Sequence, residues 1–181
     1  FLDDPELNEE TLISTLRTYE EEMDQWDEYY NKLKLFNNHP NRDIRFYTYN
    51  YVACAQQSEK PDKNIYDKIP KDIHTKIIDL IDNTLLHDDD MDVVDKAACL
   101  FTKYVQRDFF DNPLDEIHKR LAFNNSSHID WVLTVPIINS LRKKYSDERL
   151  FKEFSSYTKE YVQLQVCQFL TFYAKDYLRS N

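Results

Sequence analysis

Apolar positions along this chain recur with the period of helices. From Leu12 the series runs through Leu16, Tyr19, Met23, Trp26, Tyr30 and Leu33. Its spacing alternates four and three, the seam of a heptad. Asp4 as cap and Pro5 at the first helical position open this segment, and Asn37-Asn38-His39-Pro40 closes it. It reads as one helix whose seam is its core face in a bundle. Ile73, Ile77, Leu80, Ile81 and Leu85 predict a helix over 71–86, with a break from His87 to Asp90. Val94, Ala97, Phe101, Tyr104 and Val105 predict the next, over 91–109. Asn112 and Pro113 start a short helix carrying Ile117 and Leu121. Ser127 and Asp130 form a capping-box-like start ahead of Trp131, Leu133, Ile138 and Leu141, and Pro136 predicts a kink there. Ser146 caps a last, long helix over 147–178. Its stripe begins Leu150, Phe154, Tyr157, Tyr161 and widens through Phe169, Tyr173 and Tyr177.

Residues 41–57 fit two patterns. Alternation of Tyr47, Tyr49 and Tyr51 suits a strand, and Ile44, Tyr47, Tyr51 and Cys54 suit a helix. A lone strand would lack a partner, so the segment is read as helix. Residues 57–70 form a polar linker with Pro61 and Pro70 and a short turn at 64–68. The pattern predicts an all-α chain, a multi-helix bundle or irregular helical array of about seven helices with a long C-terminal helix. It is read as a single domain over 1–181. The start at Phe1 marks it as excised from a longer protein.

Composition strengthens this reading. The chain has no glycine, the residue that supplies positive φ in hairpin turns and close approach in phosphate loops. Rossmann and P-loop fingerprints are excluded. Asparagine, aspartate and proline must end the helices instead. Lys plus Arg is 23 and Asp plus Glu is 33, a net charge of −10. That balance argues against non-specific nucleic-acid binding. No apolar run reaches the about 20 residues of a membrane span. The basic run Arg142-Lys143-Lys144 reads as a helix end. Cys54, Cys99 and Cys167 form no C-x-x-C pair and are read as reduced core residues, which points to an intracellular, cytoplasmic chain. Asn124 and Asn125 begin sequons that matter only in a secreted chain.

The loudest chemical signal is Asp88-Asp89-Asp90-Met91-Asp92. Asp88, Asp89 and Asp92 fit D-D-x-x-D, which resembles the first aspartate motif of trans-prenyltransferases. That resemblance implies magnesium-held diphosphate, but no second aspartate-rich motif accompanies it. A calcium loop over the same run fails, with Val93 at the glycine position and Cys99 at the glutamate position. Acidic residues capping a helix explain the run more simply. The five histidines show no zinc spacing. No cofactor is implied.

A second resemblance rests on Asp43-Ile44-Arg45-Phe46-Tyr47, which looks like the E-N-I-x-F-W signature of domains that regulate G-protein signalling. Asn64-Ile65-Tyr66-Asp67 is similar to a later I-Y-D segment, and residues 94–97 through 107–110 resemble the penultimate helices. The resemblance covers about residues 26–115. It implies an all-helical domain that binds Gα without supplying catalytic groups. Tyr47 stands where that family has tryptophan, and Asp43 where it has asparagine.

The leading expectation is a non-enzymatic helical protein–protein interaction module, or a subunit or fragment of a larger assembly. Trp26, Tyr30, Trp131, Tyr173 and Tyr177 are its aromatic anchors toward a protein partner. The alternatives are the Gα-binding domain and a metal-dependent enzyme using the Asp88–Asp92 cluster.

Overall fold

Short-range signals place most helix ends where the sequence puts them. The computed structural model describes residues 9–21, 25–55, 66–121 and 140–155, together with Thr171. The helices are α1 (Glu9–Glu21), α2 (Trp26–Asn37), α3 (Arg42–Ala55), α4 (Lys71–His87), α5 (Met91–Gln106), α6 (Pro113–Leu121) and α7 (Asp147–Ser155), with a 3₁₀ turn at Tyr66–Lys68. The chain is all-helical, and no strand occurs among the described residues. Residues 42–55 are helix, so the helical period decided that segment.

The caps are made without glycine. Asn41 Oδ1 accepts the Asp43 N–H at 2.8 Å and starts α3. Asp90 Oδ1 accepts the N–H groups of Asp92 and Val93 at 3.0 and 3.2 Å and starts α5. Ser146 Oγ accepts the Arg149 N–H at 3.3 Å and starts α7. Each satisfies donors that a helix start leaves orphaned. At the other end of α5, Asp108 takes φ 55°. Its N–H donates to the Val105 carbonyl at 3.2 Å, and the Phe109 N–H donates to the Tyr104 carbonyl at 3.1 Å. This is the Schellman closure, with aspartate in the left-handed position that glycine usually occupies. Phe109 packs edge-on against Tyr104 at 5.3 Å, the apolar contact that accompanies such caps. It also ends α5 at Gln106, before the expected 109.

The chain divides into two compact units, Phe1–Lys103 and Tyr104–Asn181. In the first, α2 packs against α1, α3 and α4, and α1 also packs on α3. Leu12, Leu16, Leu33, Phe36, Ile44, Ile73, Ile77 and Ile81 are buried there, with Val93, Ala97, Ala98 and Phe101 of α5. Burial of each large apolar side chain contributes roughly 1.5–3 kcal/mol. In the second unit, Leu114, Ile117, Leu141 and Leu150 are buried beside Tyr104 and Val105. Arg120 is fully buried, its guanidinium donating to the Glu116 carboxylate at 2.7 Å. Arg142 pairs with Asp147 at 2.7 Å and Lys144 with Asp108 at 3.4 Å, so the basic run decorates a helix end.

Two expectations need correction. The first helix is two helices: Gln25, at φ −111° and ψ 37°, is not helical, and α2 starts afresh at Trp26. The heptad spacing continues through this break in the sequence, but α2 buries Tyr29, Leu33 and Phe36 and leaves Trp26 and Tyr30 half-buried, so the seam is not its core face. Cys99 is exposed, not core. The α5 stripe of Val94, Ala97, Ala98 and Phe101 faces inward, and position 99 falls off that face. The stretch beginning 127, the kink at Pro136, the end of the last helix, and Cys167 lie outside the described residues, as does the side chain of Cys54.

Candidate functional site

The C-terminal ends of α2 and α4 border one polar cleft of about 280 Å³, all within the first unit. Asn37 of α2 and the following Asn38 and His39 line it, with Asn83, Thr84 and His87 of α4 and the following Asp88 and Asp89. Arg45 of α3 completes the wall. Helix C-termini carry the negative end of the backbone dipole and carbonyls without helical partners. The cleft is therefore biased toward positive ligands before any side chain is counted.

Arg45 closes one side. Its Nε donates to Asp88 Oδ2 at 2.7 Å and its Nη2 to Asp88 Oδ1 at 3.0 Å, a two-pronged ion pair. Nη1 donates to the carbonyls of His39 and Pro40 at 3.0 and 3.2 Å. The Asp88 hydrogen bonds, followed by the charges of Asp88, Asp90 and Asp89, outweigh burial and raise the Arg45 pKa further. Asp88 Oδ1 also accepts the Asp90 N–H at 2.9 Å. One turn away, Arg42 donates to Asp90 Oδ2 at 3.1 Å and pairs with Asp92 and Asp43. Burial raises the Asp90 pKa, but the Val93 N–H and the Arg42 guanidinium together hold its carboxyl below the ordinary value. Arg42 and Lys96 also sit over the Phe46 ring, 5.6 and 5.2 Å from its centroid.

Asn37 and Thr84 form the floor, backed by a hydroxyl network. Tyr49 Oη donates to the Leu80 carbonyl at 3.0 Å and lies 2.7 Å from Thr84 Oγ1, which is 3.1 Å from Asn37 Oδ1. Two hydroxyl protons face three contacts. With the Asn37 amide nitrogen turned toward Thr84, each contact has one proton. Burial pushes the Tyr49 phenol well above its ordinary pKa and keeps it neutral. His39 is buried, and its Nδ1 accepts the Asn41 N–H at 3.0 Å.

The acidic run thus has distinct roles within one short segment. Asp88 and Asp92 are paired with arginines, and Asp90 both pairs and caps. Asp89 is exposed, and among the described residues it makes neither a hydrogen bond nor an ion pair. No group of three or more His, Cys, Asp or Glu side chains gathers as metal ligands among the described residues. The sequence reading singled out Asp88, Asp89 and Asp92 but missed Arg42, Arg45, Asn83 and His87. The arginines meet their aspartates 43 to 50 positions away, and no local pattern announces such a pairing.

Of the expected aromatic anchors, Trp26 and Tyr30 lie one turn apart on α2, both half-buried. Trp131, Tyr173 and Tyr177 lie outside the described residues. No family model matches the chain, and neither a curated protein nor a solved structure does. The resemblance to regulators of G-protein signalling therefore stands on its quoted residues alone. Of these, Ile44 is buried in the core and Arg45 is bound to Asp88. Among the described residues no helix is long and apolar enough to cross a membrane.

Proposed function

We propose that the chain is a helical protein-interaction module whose anchor face is the aromatic edge of α2. One observation carries this: Trp26 and Tyr30 are partly uncovered yet held in place. The Trp26 ring stands edge-on to the buried Tyr29 ring at 5.7 Å. The Lys76 ammonium lies 5.5 Å from the Tyr30 ring centroid and is tied to Asp27 at 2.6 Å. Aromatic side chains ordered before binding lose little entropy on docking, which makes them effective anchors.

The test is native co-purification of the chain with its partner, repeated with a Trp26→Ala/Tyr30→Ala variant. A stoichiometric partner is expected with the unaltered chain. The variant is expected to bind it more weakly by about 2 kcal/mol or more, with helical circular dichroism retained. Equal capture by the folded variant contradicts the assignment of this face.

A further inference from the structure

Within the polar cleft, the groups other than His39, whose buried Nε2 has no hydrogen-bond partner among the described residues, divide by whether they already have partners. Asn37, Thr84, Arg45 and Asp88 are tied to one another or to Tyr49 and nearby backbone. Asn83, His87 and Asp89 are exposed and line the same cleft. None of the three side chains makes a hydrogen bond or ion pair among the described residues. Each offers an acceptor atom: a carboxamide oxygen, an imidazole ring nitrogen and a carboxylate. Two helix C-termini add negative potential to the same space.

We propose that this rim binds a primary ammonium group, presented as the lysine side chain of a partner protein. An ammonium carries three donors and no acceptor, matching three acceptors of which one is charged. A guanidinium, with its planar fork of five donors, fits better where carboxylates are presented two-pronged, and Asp88 already meets Arg45 in that way. A net charge of −10 favours approach of a basic partner. The lysine source rests on the interaction reading above, whereas the ammonium chemistry of the rim does not.

The test is a titration of the full ¹⁵N-labelled chain with a blocked Ala-Lys-Ala peptide, its norleucine counterpart and n-butylammonium. Saturable amide shifts at Asn83, His87 and Asp89 are expected with the lysine peptide. Asp89→Asn is expected to weaken this binding about tenfold, as loss of a charge-assisted hydrogen bond does. Absence of saturable rim shifts with both amines overturns the site, as does unchanged affinity in the folded Asp89→Asn variant. A norleucine peptide that binds as well as the lysine peptide overturns the ammonium chemistry. If n-butylammonium binds as tightly as the peptide, the partner-protein source is overturned. The partner capture by Trp26 and Tyr30 is read out separately, so failure of either proposal is distinguishable from failure of the other.

Discussion

The floor and the rim of the cleft are built from similar polar residues on the same helices, yet they stand in opposite conditions. On the floor, Thr84 and Asn37 are buried and share hydrogen bonds with Tyr49, and the Arg45–Asp88 side chains are only 18% and 8% exposed. On the rim, Asn83, one position before Thr84, and Asp89, one position after Asp88, face solvent without such ties. Asn83 and Thr84 are adjacent on α4 and point about 100° apart, and past the helix end Asp88 is extended (φ −77°, ψ 132°), where successive side chains point to opposite sides. A polar group out of water must be paired or it destabilises the fold, and a paired group is not available to a ligand. The contrast separates what holds the helices together from what remains free to bind.

Breaking the floor tests this most severely. Arg45→Ala strands the Asp88 carboxylate in a little-hydrated wall and is expected to cost about 3 kcal/mol, read as a lowered denaturation midpoint. Tyr49→Phe removes one hydroxyl from the network and is expected to cost about 1–2 kcal/mol. It also changes the alkaline limb. The folded Tyr49 pKa is raised, so its stabilising share is complete below the unfolded value near 10.0. That share is lost as pH climbs from there toward the folded value, at about 1.4 kcal/mol per pH unit. Tyr49→Phe should flatten that loss, and an identical alkaline limb in both proteins contradicts the burial argument.

Between floor and surface lies Asp90, which caps α5 and pairs with Arg42. Asp90→Ala is expected to cost about 1 kcal/mol, the value of a lost cap. Its folded pKa is lowered, so the stabilisation is present above the unfolded value and disappears as pH falls through the folded one. Urea unfolding followed below about pH 4 reads it. The smallest effect belongs to Arg42→Ala. Arg42 and Asp92 are 42% and 64% exposed, and solvent screens such pairs, so no resolvable change in midpoint is expected. A loss matching that of Arg45→Ala would erase the distinction between the two arginines.

The same contrast explains what the sequence made legible. Features set by neighbours in the chain were readable: Ser146 and Asn112 at helix starts, the break after His87, and α4 from its apolar stripe. Aspartate and asparagine closed helices in place of glycine, with Asp108 taking the left-handed turn. The division at Gln25 was hidden, because the heptad spacing continues through it. Arg42, Arg45 and the cleft were hidden for another reason. They come from pairing residues of α3 with those after α4, which only the packed helices bring together. The exposed side of Cys99 was readable in principle from the α5 stripe, but cysteine's usual burial pointed the other way.

Thermal melting of Asp89→Asn beside Arg45→Ala tests the division between floor and rim most directly. The account predicts that Asp89→Asn melts with the unaltered chain while Arg45→Ala melts well below it. Comparable destabilisation of both variants would contradict it, because Asp89 would then be part of what holds the helices together.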